Sequence, residues 1–204
     1  GYAIVRQLGC IGYRPNVCRK VRDIVVCDTR GIIHRKREGL YTNKYKFILA
    51  DETNRSGKTG NLADAVEGAD VLIGVSSPGV FTREMVRSMN DDPIVFALAN
   101  PVPEIMPNLA KEAGASVVGT GRSDFPNQIN NALAFPGVFR GALDVFATRI
   151  SEEMKVAAAH ALAGYVPEPD REHIVPAVLD REVTMQVAVA VREAAILSGC
   201  ARDI

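Results

Sequence analysis

The sequence predicts an α/β fold: a doubly wound parallel sheet with helices on both faces and a run of flanking helices at its C-terminal end. Three observations point there. Short apolar runs of strand length alternate with helix-like segments as far as about residue 121. Those runs are bounded by Gly, Pro and Asp, as buried strands are. The chain also opens with a helix, a strand and a terminal acid, which is the second half of a βαβ unit.

Ile4, Val5, Leu8 and Ile11 recur at helical spacing, and Gly9 and Gly12 loosen the end of that helix. Asp23 to Cys27 follows as a strand and stops at Asp28. A strand and a turn of the G-x-G-x-x-G kind should precede the helix. Gly1 is then the last glycine of that turn, and the first strand and most of the Gly-rich loop are expected to be missing. The next strands are Asp70 to Val75, Pro93 to Ala99 and Ser116 to Gly119. Helices are expected over Asn61 to Glu67, Thr82 to Met89 and Pro103 to Ala113, with Thr82 as an N-cap and Met85 and Met89 facing inward. Beyond Asn130 only helices are predicted: Asn130 to Thr148, interrupted near Pro136-Gly137, then Glu152 to Ala163 and, after a Pro-rich loop, Arg181 to Ser198. One domain over 1–204 is expected, with its sheet in about 1–121 and its helical part in about 128–204.

Composition narrows the class. An apolar fraction of 47% in 204 residues supports a substantial core. Positive and negative side chains balance at 24 each, so no overall field favours nucleic acid or an anionic membrane. No apolar run reaches the roughly 18 residues of a membrane span. Cys10, Cys18, Cys27 and Cys200 are scattered without a CxxC, and reduced thiols in a cytoplasmic protein are the simplest expectation.

In doubly wound sheets, ligands bind beyond the carboxyl ends of the strands. Asp28 ends a strand there, and its carboxylate can accept from a ribose diol, although Asp-Thr-Arg-Gly is equally good turn chemistry. The same charge repels a 2′-phosphate and so favours NAD, while Arg30, Arg35, Lys36 and Arg37 keep NADP open or simply form a solvated loop. Ser76, Ser77, Pro78 and Gly79 let a nucleotide approach the backbone, or serve only as a strand-to-helix connection. Asn100 precedes Pro101 and is therefore pushed towards extended backbone, from which its carboxamide can project over the sheet's rim; the bland account is a turn. Asn127, Gln128, Asn130 and Asn131 crowd four carboxamides into five residues. A helix cap explains one, and orienting a small polar ligand would explain the others. His34, His160 and His173 lack metal-like or triad-like spacing. Asp51-Glu52 reads as a solvated pair, and Glu152-Glu153 behind Ser151 as a helix start.

RSDFPNQINNALAFPGVFRGALD (Arg122 to Asp144), ALANPVPEI, VVCDTRGII, ADETN, EGADVLIGVSSPGVFT and ISEEMKVAAAHALA occur in an order that closely resembles the cofactor domain of malic enzymes, nearest the shorter bacterial branch. The resemblance covers nearly the whole chain and implies a Rossmann-like NAD(P)-binding domain. It implies an enzyme that oxidises (S)-malate and decarboxylates the product to pyruvate and CO2, with Mg2+ or Mn2+ as Lewis acid. Gly1, Asp28, Ser76, Ser77 and Asn100 are carried over as cofactor contacts, and Asn100, Asn130 and Asn131 as malate contacts. The family's Lys and Tyr acid/base pair and its carboxylate metal ligands precede the Gly-rich loop. They are thus expected in a missing N-terminal catalytic domain, and this chain by itself is expected to be inactive. A homo-oligomer, dimer or larger, is implied. Phe146-Ala147-Thr148 departs from the family, which often carries Arg there. Two alternatives stay open: another Rossmann oxidoreductase, such as an amino-acid dehydrogenase, and a non-catalytic nucleotide-binding module.

Overall fold

The computed structural model describes residues 1–10 and 20–202. Ile11, Gly12 and Cys18, which entered the sequence reading, lie outside them. Helix α1 (Tyr2–Leu8) leads to a hairpin of two short strands, β1 (Cys27–Asp28) and β2 (Gly31–Ile32), paired antiparallel with Cys27 opposite Ile32. Gly31 holds a φ of 98°, and a Cβ there would lie 2.3 Å from the Gly60 carbonyl oxygen, so only glycine fits. The hairpin replaces the expected strand Asp23 to Cys27. The Ile24 carbonyl accepts from Asn54 N–H at 2.7 Å and the Val26 carbonyl from Ile33 N–H at 2.8 Å. Buried backbone groups need partners, and here loop groups supply them without a ladder.

Helix α2 (Lys44–Glu52), which apolar spacing does not single out, starts at Asn43, whose side-chain oxygen accepts from the Tyr45 and Lys46 amides. The expected alternation then holds: α3 (Leu62–Val66), β3 (Val71–Gly74), α4 (Arg83–Arg87), β4 (Ile94–Ala97), α5 (Pro107–Glu112) and β5 (Val117–Thr120). The last three strands form one parallel sheet in the order β3-β4-β5, with Val71 opposite Ile94 and Ile94 opposite Val117. Leu72, Val95 and Val118 pack between the helices against Val66, Val86 and Ala110. Full burial of each large side chain contributes about 1.5–3 kcal/mol. Thr82 caps α4 as expected, accepting from Met85 N–H at 3.2 Å. Met89 is buried and Met85 partly so. Helix α5 starts later than expected because Pro107 occupies its first turn, where a missing N–H costs nothing and the residue before proline is kept out of helix.

Beyond β5 come a single 3-10 turn (Asn131–Leu133) and the helices α6 (Phe135–Leu143), α7 (Glu152–Tyr165) and α8 (Arg181–Leu197). The interruption predicted near Pro136-Gly137 falls instead at Ala134, and Pro136 sits in the first turn of α6, where proline is tolerated. Gly137 and Gly141, one turn apart, face α8. A Cβ on Gly141 would stand 2.3 Å from the Ala188 carbonyl oxygen, and one on Gly137 2.6 Å from Val187 Cβ. Val183, Val187 and Val191 of α8 close a second core with Ala142 of α6 and Met154 of α7. Cys27 and Cys200 are free thiols. Cys10 is disulfide-bonded, against the expectation of a reduced thiol, since spacing along a chain does not report proximity in space. Among the described residues no helix is long and apolar enough to cross a membrane.

Candidate functional site

The carboxyl edge of the parallel sheet collects most of the residues singled out in the sequence. Ser76 and Ser77 follow β3 and are exposed, and Asn100, also exposed, follows β4. Gly1 lies at the same place, since a Cβ on it would meet Val75 Cγ2 at 4.0 Å. Beyond β5 the chain folds back so that Ile129 N–H donates to the Thr120 carbonyl at 2.8 Å. Asn130 and Asn131, both exposed, therefore continue from the end of the third strand. The Thr120 hydroxyl on that strand end is buried without a hydrogen-bond partner among the described residues. Short side chains and exposed carboxamides along one edge suit a polar ligand laid across strand ends, as a dinucleotide is.

The four carboxamides separate in space. Asn127 is buried with φ 54°; its amide donates to the Val118 carbonyl at 3.1 Å and the Arg171 carbonyl at 2.9 Å, and its oxygen accepts from Ile174 N–H at 2.9 Å. Buried and with both amide hydrogens donated, it ties β5 to the Pro-rich loop out of a ligand's reach, which corrects the ligand reading at that position. The Gln128 backbone forms a parallel bridge with Thr120. Asn130 accepts from Ala132 N–H at 2.9 Å, the cap expected of one of the four. Asn130 and Asn131 both stay exposed where the chain continues from this edge.

Asp28 closes β1. Both its oxygens accept from Arg37 Nη2 at 2.7 Å, Oδ2 also from Lys46 Nζ at 2.6 Å, and Oδ1 also from Arg30 N–H at 2.8 Å. A carboxylate has about four acceptor sites, and all are occupied. Burial opposes the charge, but the hydrogen bonds from Lys46, Arg37 and Arg30 outweigh it and bring the pKa to about 2. Arg37, expected in a solvated loop, keeps only 8% of its side chain exposed. Lys46 escapes the sequence reading because it sits 18 residues from Asp28, on a helix without an apolar pattern. The Tyr2 and Tyr45 rings meet tilted by 57° with centroids 4.8 Å apart, so the start of α1 and the Asp28 cluster lie on neighbouring elements.

With a folded-state pKa depressed below the ordinary value of 3.8, Asp28 contributes stability that is present above pH 4 and lost as pH falls towards 2. The contribution is about 2 kcal/mol. Asp28→Asn should therefore flatten the acid limb of a denaturant-midpoint titration; an acid limb identical to that of the unsubstituted protein would refute the linkage. Burial first, and then the Asp28 charge, push the neighbouring Cys27 thiol up to about 11. At pH 8 it should alkylate far more slowly than a free cysteine, and peptide mass spectrometry after iodoacetamide reads this directly.

Of the histidines, His160 and His173 are exposed, and His173 pairs with Asp170 at 3.1 Å within an exposed turn. Asp51 and Glu52 are solvated as expected, Asp51 pairing with Arg35 at 3.0 Å. Among the described residues no group of three or more His, Cys, Asp or Glu could hold a metal ion.

The family description "Malic enzyme, NAD binding domain" matches residues 4–196. The chain is 54% identical over 205 residues to the bifunctional malic/malolactic enzyme of Bacillus subtilis (strain 168), covering 99% of this chain and 48% of that protein. It is 47% identical over 197 residues to the NADP-dependent malic enzyme of Halomonas elongata, covering 88% of this chain and 45% of the relative. The solved NAD-dependent malic enzyme of Thermotoga maritima superposes with a TM-score of 0.81 at 43% identity, over 85% of this chain and 45% of that one. The chain thus spans about half the length of these two relatives. With a parallel sheet and a family match over almost its full length, the chain belongs to the malic enzyme family and carries that family's NAD-binding domain.

Proposed function

We propose that this chain is the cofactor-binding part of an NAD(P)-dependent enzyme that oxidises (S)-malate at C2 and releases pyruvate and CO2. The observation that carries this is the row Gly1, Ser76, Ser77, Asn100 and Asn130-Asn131 along one sheet edge, in a chain of this family. When bound, the nicotinamide supplies the hydride acceptor. Ser76, Ser77 and Gly1 let the dinucleotide backbone lie close to the strand ends. Asn100 reaches the nicotinamide and malate, and Asn130 and Asn131 hold malate's polar groups. General acid/base and metal-binding groups are assigned to the part of the protein that the relatives carry beyond this chain, and no described residue is given those roles. A cytoplasmic setting belongs to the same reading, as does assembly into dimers or larger, for which the exposed Phe135, Phe139 and Leu143 of α6 offer an apolar surface.

Asp28 is proposed at the adenosine ribose, with NAD preferred over NADP. A ribose diol there must displace one of the donors that now fill the carboxylate, and Arg37 and Lys46 already balance its charge, so the preference should be modest. Asp28→Ala in the full-length protein should weaken NAD and move the NAD:NADP ratio of kcat/KM by about tenfold towards NADP, the worth of about one hydrogen bond to a charged group. An unchanged ratio would reduce Asp28 to a hairpin residue.

The whole reading is tested by following NADH or NADPH formation from (S)-malate with Mn2+ and assaying pyruvate in the same sample. Pyruvate equal to reduced cofactor supports it. Oxaloacetate without pyruvate points to a plain dehydrogenase, and no reduction with either cofactor removes the proposal.

A further inference from the structure

Glu104 is fully buried in the loop after β4, and among the described residues it has no cationic partner within ion-pair distance. Its Oε1 accepts from Ser76 N–H at 2.6 Å and from the Ser76 hydroxyl at 3.0 Å, and its Oε2 accepts from Ala99 N–H at 2.9 Å. Its own backbone carbonyl accepts from Phe81 N–H at 3.1 Å. A Cβ on Gly74 would stand 2.5 Å from the Glu104 carboxyl carbon, so the glycine that ends β3 leaves the space in which the carboxylate sits.

Burying a carboxylate is costly, and joining two loops does not of itself require one. All three donors nevertheless come from the two segments that leave β3 and β4 at the candidate cofactor edge. Ser76 is one of the proposed contacts, and Ala99 immediately precedes another, Asn100. One acid thus sets the spacing of both loops from beneath, where no ligand reaches it.

We propose that Glu104 is a positioning residue of the cofactor site, fastening the loop after β3 to the loop after β4 so that Ser76 and Asn100 meet the dinucleotide as one rigid edge. The proposal rests on reading those two residues as cofactor contacts. It acts through them, since Glu104 itself touches no ligand.

Glu104→Gln in the full-length protein is the test. The shape is kept, but a carboxamide has one acceptor oxygen and a two-hydrogen donor, so it cannot serve Ser76 and Ala99 together. Hydrogen exchange should quicken about tenfold in peptides covering both 74–79 and 97–101, and the Kd for NADH or NADPH should rise about tenfold, as expected for one unpaired buried amide. Exchange unchanged, or quickened in one loop only, overturns the clamp. Both loops quickened with cofactor binding within twofold of the unsubstituted protein leaves Glu104 a fold support and overturns the positioning role. If the unsubstituted protein binds neither dinucleotide, the underlying assignment of Ser76 and Asn100 fails first, and that outcome is distinct from the other two. Should the variant not fold, the unsubstituted protein decides: adding cofactor must slow exchange in both loops together, and protection of one alone counts against the proposal.

Discussion

Asn100→Ala and Asn130→Ala are each expected to lower kcat/KM for malate by about 10- to 100-fold in the full-length protein. Hydrogen bonds to a charged ligand are worth about 1.5–3 kcal/mol, which is that range of rate when the bond is lost in the transition state. The two losses should differ in kind. Asn100 leaves β4 beside the proposed nicotinamide position, so its truncation should also raise KM for the cofactor. Asn130 lies past β5, already spends its oxygen on the Ala132 amide, and should affect malate alone. Both are exposed, so neither change should lower the unfolding temperature by more than a few degrees; losing the Asn130 cap costs about 1 kcal/mol. Unaltered kinetics in both variants would remove them from the site, and a cofactor effect at Asn130 would contradict the proposed order along the edge.

Gly141→Ala carries the largest expected effect on stability. The added methyl would land 2.3 Å from a backbone oxygen of α8 and 2.9 Å from Val191 Cβ. Backbone cannot rotate away as a side-chain tip can, so α6 and α8 must separate along their whole contact. Overpacking of this kind costs about 3 kcal/mol, or a fall of roughly 6–12 °C in the unfolding transition of a domain this size. Thermal unfolding followed by circular dichroism reads it, and a transition within 2 °C of the unsubstituted protein's would show that the two helices have room to spare. Malate kinetics measured well below the transition should change less than in the Asn variants, because the glycine faces α8 and not the sheet edge.

Much of the fold is legible in the sequence because its signals are local. Three strands announce themselves as apolar runs bounded by Gly, Pro and Asp. Thr82 and Ser151 stand where their side chains cap helices. Signals of this kind need only a few neighbouring residues. The segment Asp23 to Cys27 shows the limit. Its composition suits a strand, yet strand formation depends on a partner, and Ile24 and Val26 bond to loops. Helix α2 shows the opposite limit: Tyr45 and Phe47 on its outer side remain exposed, so apolar spacing carries no clear period, and the Asn43 cap with its packing on Leu40 and Ile33 decides.

The sequence by itself determined the alternation of elements, the strands of the parallel sheet, and the small and carboxamide residues that stand at their carboxyl ends. These follow from periodicity and from residue chemistry at element boundaries. Tertiary structure alone decided which of those residues remain available. It took Asn127 into the fold, filled every acceptor site of Asp28 with Arg37, Lys46 and Arg30, and placed Glu104 against Ser76 and Ala99, which precede it by 28 and 5 residues. The physical reason is one of range: a helix or strand is chosen within a few residues, whereas the partner of a buried charge or carboxamide is chosen by proximity in space, which the order of residues does not record.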